Sequence, residues 1–342
     1  MWGLVKQELK QFFSKGVIIF LILVCLSSSK ISYPLSGAGY GGIHEGVGHV
    51  MGRRNFPLEK ERSSPYVGKV DEELLAEAAS WYQQSEELPE YFEYSDVYRS
   101  FSHILAADHS WELEAKEPLL SVPPTSLEYH YAPGWSQLLG DLGWWIVPLV
   151  LCILMILGTA SSFAGEYEAN MNEIMSSMKY GRKKQAIAKW IASWLGQTII
   201  LLLVFLAFML GIVFLIGLGD GNASIQFSIR AYPYLISVRS GVLLTVLSLW
   251  LGMLLTGSIT MLVSKFSRNK LWTVIISGLI LVVPPLLAVS DTAVVKTISK
   301  FFPLGHIPID NISIANWIWI ALVTVITTVI SFCLTLNHRG KD

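Results

Sequence analysis

Three stretches of this sequence hold residue types at spacings that could do chemistry. "HEGVGH" brings together His44, Glu45 and His49, the ligand types of a zinc peptidase. Two imidazoles share a helix face when they are four residues apart. These are five apart, a turn of about 500° along a helix, and Gly46 and Gly48 disfavour a helix altogether. The reading is a polar loop, with a loose metal site as its alternative. "GAGYGG" fits a dinucleotide glycine pattern through Gly37, Gly39 and Gly42, but it does not stand between a strand and a helix. No G-x-x-x-x-G-K-[ST] phosphate loop occurs, so the chain does not hydrolyse ATP by that route. Cys25, Cys152 and Cys333 each sit inside an apolar run, where a thiol serves as a small hydrophobe rather than a disulfide partner or metal ligand.

The third stretch, residues 161–190, reads "SSFAGEYEANMNEIMSSMKYGRKKQAIAKW". Glu166, Glu168 and Glu173 are followed by Lys179, Arg182, Lys183, Lys184 and Lys189, between two long apolar runs. Met171, Ile174, Met175 and Met178 line one side of a short amphipathic helix, and Asn172, Glu173, Ser176 and Ser177 the other. Tyr180-Gly181 ends it, glycine accepting the left-handed conformation of a helix terminus. Methionines suit an adaptable contact surface.

The elements that position this stretch follow from composition. The chain of 342 residues is 52% hydrophobic and 15% charged, against about 45–50% and about 25% in a soluble domain. That is the balance of a membrane protein. Five segments meet the length of about 20 apolar residues that a span needs: 144–163, 191–217, 242–263, 271–289 and 314–336. A sixth, 16–35, has a shorter apolar core. It is read as an uncleaved span rather than a signal peptide, with Lys30 reaching out to the surface. The expected fold is an all-α polytopic membrane protein with six transmembrane helices.

Charge asymmetry orients the spans. Lys6, Lys10, Lys15, Lys179, Arg182, Lys183, Lys184, Lys189, Lys265, Arg268, Lys270, Arg339 and Lys341 fall on one side. Arg230, Arg239, Lys296 and Lys300 fall in the short loops of the other. The richer side is cytoplasmic, with both termini. Residues 36–140 form a mainly helical extracytoplasmic domain between spans one and two. The insert from 34 to 140 holds seventeen of the 26 carboxylates and seven Lys/Arg. In it Asp71 caps a helix with Leu74, Leu75, Ala78, Trp81 and Tyr82 on one face. A second helix starts at Ser95, with Val97, Tyr98, Phe101 and Leu105 along a stripe. At the N-terminus Trp2, Val5, Leu9, Phe12 and Phe13 recur at helical spacing opposite Lys6, Gln7, Lys10 and Gln11. That pattern suits a helix lying in the membrane interface. The domains are therefore 1–35, the interfacial helix and first span; 36–140; and 141–342, the other five spans.

The pattern FxxEYxxxMxxIMSSxKYGRKKxxxAK, from Phe163 to Lys189, resembles the cytoplasmic signature of type-2 ABC exporter permeases. It is most similar to Gram-positive forms with a large outer domain after the first span. The commoner form has Gly-Thr and a proline where this chain has Asn170-Met171 and Lys179-Tyr180. The resemblance implies that residues 166–182 include a coupling helix docking on a separate cytoplasmic ATPase. Glu166, Glu168, Met171, Asn172, Glu173, Met175, Lys179, Tyr180, Gly181 and Arg182 lie at or near that contact. It also implies a broken, re-entrant pair between spans five and six. Pro284-Pro285 agrees with this, as does the amphipathic run holding Phe301 and Phe302.

The expected function is a transport subunit in a bacterial plasma membrane. It binds no cofactor itself, since ATP and Mg sit on the partner ATPase, and it pairs with a second permease copy or a paralogue. No nucleic-acid partner is expected. No span carries a mid-membrane charge, so the substrate is hydrophobic or amphipathic: a lipid, antimicrobial peptide or drug. The alternatives are a membrane-bound sensor whose acidic outer domain binds cationic peptides, and a metallopeptidase built on His44, Glu45 and His49.

Overall fold

The computed structural model describes residues 1–33, 60–61, 63–85, 101, 123–143, 146–170, 181–215, 217–228, 232, 234–282 and 314–337. Among these the chain is mostly helical: α1 (Trp2–Phe12), α2 (Lys15–Tyr33), α3 (Glu72–Ser85), α4 (Pro133–Gly143), α5 (Ile146–Thr159), α6 (Ser161–Glu168), α7 (Gly181–Leu215), α8 (Val238–Ser267), α9 (Lys270–Leu281) and α10 (Ile314–Asn337). Two short strands, β1 (Gly68–Lys69) and β2 (Glu128–Tyr129), pair antiparallel.

Four helical stretches are long and apolar enough to cross a membrane: Ile146–Glu168, Lys183–Phe214, Val238–Ser267 and Ile318–Leu336. A fifth arises if α1 and α2, bent by 64°, count together. The segment expected as a span at 271–289 is seen as the apolar α9, twelve residues long, and its remainder lies outside the described residues. The expected second helix from Ser95 also lies outside them, apart from Phe101.

The chain divides into two compact units, one of Met1–Leu26, Trp144–Phe205 and Val246–Asp342, the other of Ser27–Gly143 and Leu206–Thr245. In the first unit α1 is fixed at its end by Phe12. A Cβ on Gly158 of α5 would stand 2.7 Å from the Phe12 ring, and one on Gly196 of α7 would stand 2.5 Å from it. Only glycines leave the slot open. Val5, two turns before Phe12 on the same face, packs on Ala188 and Ala192. The buried face of α1 is thus Val5, Glu8 and Phe12, while Trp2 is 70% exposed. The sequence pattern grouped Trp2 with the apolar stripe and passed over Glu8.

The second unit has its own core of Val70, Ala78, Phe101, Leu127 and Tyr129, with Tyr66, Leu74, Leu75 and Phe227 against it. The Asp71 carboxylate accepts from Leu74 N at 2.8 Å, the cap that the sequence predicts. Three rings meet closely: Phe101 to Tyr129 at 5.0 Å, Tyr129 to Phe227 at 5.1 Å and Phe101 to Phe227 at 5.6 Å. Phe227 comes from the connection between α7 and α8, which the sequence reading grouped with 141–342. That connection is stitched to the β2 strand. Ser224 N donates to Glu128 O at 2.9 Å and Glu128 N to Ser224 Oγ at 2.8 Å. Asp220 N donates to Tyr131 O at 2.9 Å. Gly219 has a φ of +71°, and a Cβ there would stand 2.3 Å from Tyr131 O. Glycine alone allows both the conformation and the approach.

Asp141 on α4 is 2% exposed. Gln137 donates to its Oδ1 at 2.7 Å, and among the described residues nothing pairs its Oδ2. Burial pushes its carboxyl up from 3.8 to about 6, partly opposed by the Gln137 bond. The folded state therefore holds this proton more tightly than the unfolded chain. Stability should fall as pH rises from about 4 to about 6, a loss of about 3 kcal/mol. Chemical denaturation across that range checks it, with the slope removed in Asp141→Asn. Separately, Gly196→Ala should lower the unfolding midpoint by expelling the Phe12 ring. The same change should cost less in a Phe12→Ala background, where the slot is empty.

Candidate functional site

The groups flanking residues 169–180 converge at one end of the first unit. Lys189, about two turns inside α7, is the centre. Its side chain is 1% exposed. Its ammonium lies 3.1 Å from Glu8 Oε2 on α1 and 3.0 Å from Glu166 Oε1 on α6, and it also donates to the Ser162 carbonyl. The three N–H donors of a lysine are thereby used. The Phe163 ring lies beneath, its centroid 5.4 Å from Nζ. Gln185, one turn before Lys189, donates to Glu166 Oε1 as well. Two carboxylates share one ammonium, with the Glu8 side chain 10% and the Glu166 side chain 21% exposed, and removing the ammonium leaves both unpaired.

Three helix ends nearby are bonded by side chains. The α5–α6 join at Ala160 is interrupted by Ser264 of α8. Its hydroxyl accepts from Phe163 N at 3.1 Å and Ala164 N at 2.9 Å, and donates to Ala160 O at 2.8 Å. A hydroxyl inserted into the helix ladder is a recognised cause of a bend. Glu168 Oε1 accepts from Lys270 N at 2.8 Å, so it helps to cap α9. Asn269 caps the same helix through Leu271 N and Trp272 N. Arg268, with φ of +55°, sets its guanidinium 5.3 Å from the Tyr167 ring centroid. Lys265 donates to Leu334 O at 2.8 Å and Thr335 O at 2.9 Å, the final-turn carbonyls of α10. Trp190 donates from Nε1 to Thr335 Oγ1 at 3.0 Å and packs on Phe332 at 5.7 Å.

Of the residues singled out from sequence, Glu166 is brought to Lys189 and Gln185, while Glu168 goes to α9 and does not join them. Gly181 and Arg182 open α7. Met171, Asn172, Glu173, Met175, Lys179 and Tyr180 lie outside the described residues. So do Pro284, Pro285, Phe301, Phe302, His44, Glu45 and His49. Sequence reasoning missed Glu8, Ser264 and Trp190. Glu8 carried one available signal: it falls between Val5 and Phe12 on the same helical face.

Chemically this arrangement is a clamp. It holds no nucleophile poised against a base, and its two carboxylates face a single ammonium. What it does is join the two flanks of the 169–180 connection to α1, α8, α9 and α10. No family model matches the chain, and no curated protein or solved structure matches it.

Lys189→Met should strand both carboxylates and destabilise the protein by about 3–5 kcal/mol. The triple variant Glu8→Gln, Glu166→Gln, Lys189→Met should recover most of that loss. Urea unfolding in a mild detergent, followed by tryptophan fluorescence, checks both.

Proposed function

We propose that this chain is the membrane-spanning permease subunit of an ATP-binding-cassette exporter in a bacterial plasma membrane. In this reading six helices cross the bilayer, both termini and the 169–181 connection face the cytoplasm, and residues 36–140 fold outside. A separate ATPase docks on the connection through Met171, Asn172, Glu173, Met175, Lys179, Tyr180 and Arg182. Two ATPase copies close on ATP and Mg, and the connection moves with them. Two permease chains, identical or paralogous, then open a path for a hydrophobic or amphipathic substrate.

One observation carries the reading. The connection is short, and its flanks are tied into helices of the first unit by buried bonds at Lys189, Ser264 and Trp190 and by the exposed bond of Glu168 to Lys270 N. A push on it cannot be absorbed locally, because bending either flank breaks the Lys189 or Ser264 bonds. That is the mechanical property a coupling element needs. The resemblance of residues 163–189 to the permease signature supplies the partner's identity. In this account the Glu166 carboxylate is held by Lys189 and the Glu168 carboxylate by the start of α9, and the ATPase contact falls on the residues after them.

The test uses the full chain, tagged and purified from its native membrane. Vanadate-sensitive ATP hydrolysis should co-purify with it. Glu173→Lys with Arg182→Glu should reduce that activity at least about tenfold, the cost of one mismatched charge pair or more, while the chain stays folded. A chain that carries full transport activity with no ATPase beside it contradicts the proposal.

A further inference from the structure

We propose that the exposed flank of α1 binds anionic phospholipid headgroups, and that this grip holds Glu8 against Lys189. Three observations lead there. First, α1 shows the outside an apolar strip beside cations. At about 100° per residue, Trp2, Leu9 and Phe13 lie within about 40° of one another, with Lys6 and Lys10 next round the helix. Trp2, Lys6 and Lys10 are exposed, and Leu9 and Phe13 are half-buried. Aromatic rings bordered by lysines fit the boundary between acyl chains and headgroups.

Second, the charge is one-sided. The acids of the first unit, among its described residues, are Glu8, Glu166 and Glu168. Glu8 and Glu166 are both bonded to Lys189, and Glu168 is bonded to the start of α9. The exposed cations are Lys6, Lys10, Lys15, Lys183, Lys184, Arg268 and Lys270. Lys183 and Lys184 lie about one turn before Ala188, which packs on Val5. Burying Glu8 thus removes from α1 the one negative charge that would repel an anionic surface.

Third, the attachments are uneven. Phe12 locks the C-terminal end of α1 into its glycine slot, whereas Met1 and Trp2 at the other end are 60% and 70% exposed. Glu8 stands between. A surface that holds the Trp2–Lys6 end presses Glu8 onto Lys189; without it, the first two turns of α1 rely on Val5 and Glu8 alone. The consequence, that anionic lipid stiffens the path from the 169–181 connection, rests on the proposed function. The binding itself does not.

The experiment places the full chain in nanodiscs of phosphatidylcholine alone, or of phosphatidylcholine with about one third phosphatidylglycerol, with no ATPase present. Hydrogen exchange of the Trp2–Phe12 amides is read by mass spectrometry. Exchange should slow on the order of tenfold in the anionic discs, and Lys6→Gln with Lys10→Gln should abolish most of that difference, as should high salt. The α7 and α8 amides report whether the variant is folded. Equal exchange of α1 in both discs overturns the proposal, whatever the ATPase experiments give; so does a lipid difference that survives in the double variant.

Discussion

The ammonium of Lys189 is the point on which the first unit depends. Two helices supply its acceptors, α1 through Glu8 and α6 through Glu166 and Ser162, and Gln185 on its own helix donates to Glu166. With the side chain 1% exposed, salt screens these contacts little. Such a pair is no cheap source of stability, since two apolar residues of the same shape can do as well. Its use lies in specificity. A buried ion pair accepts one registry of its helices and rejects those a few ångströms away.

The same economy runs through the rest of that end. In a bilayer, a backbone group without a partner costs several kcal/mol. The Ala160 break needs Ser264, the last turn of α10 needs Lys265, and the start of α9 needs Asn269 and Glu168. Ser264 and Lys265 both come from α8, Glu168 comes from α6, and Asn269 is the residue just before α9. The result is a set of helix ends that cannot move one at a time. Under the proposed function these ties carry a displacement of the α6 and α7 ends into the rest of the first unit.

What the sequence made legible divides along the same line. Long apolar runs name the spans because length and hydropathy are properties of the segment alone, and α5–α6, α7, α8 and α10 follow. The Asp71 cap is legible for the same reason, its partner being three residues away. The clamp is not. Glu8 and Lys189 are separated by 181 residues, and nothing local to either says that a charge will be buried. Lys189 reads as one more cation in a positive loop, and Glu8 as the polar interruption of an apolar stripe. Likewise Ser224 looks like a loop serine until the Glu128 backbone is beside it. The strands β1 and β2, two residues each, are too short to show any alternation.

The most direct measurement of the central claim is a distance between spin labels on α1 and α7, in chains with Cys25, Cys152 and Cys333 replaced by serine. Labels at Gln7 and Lys184, both exposed, report across the clamp, and under the proposed function they are read in the assembly with the ATPase, with and without trapped nucleotide. The account predicts one narrow distance that stays the same in both states, while the Lys184-to-Lys184 distance between two permease chains changes. A Gln7-to-Lys184 distance that broadens or shifts with nucleotide contradicts it, because the clamp then yields where it should transmit.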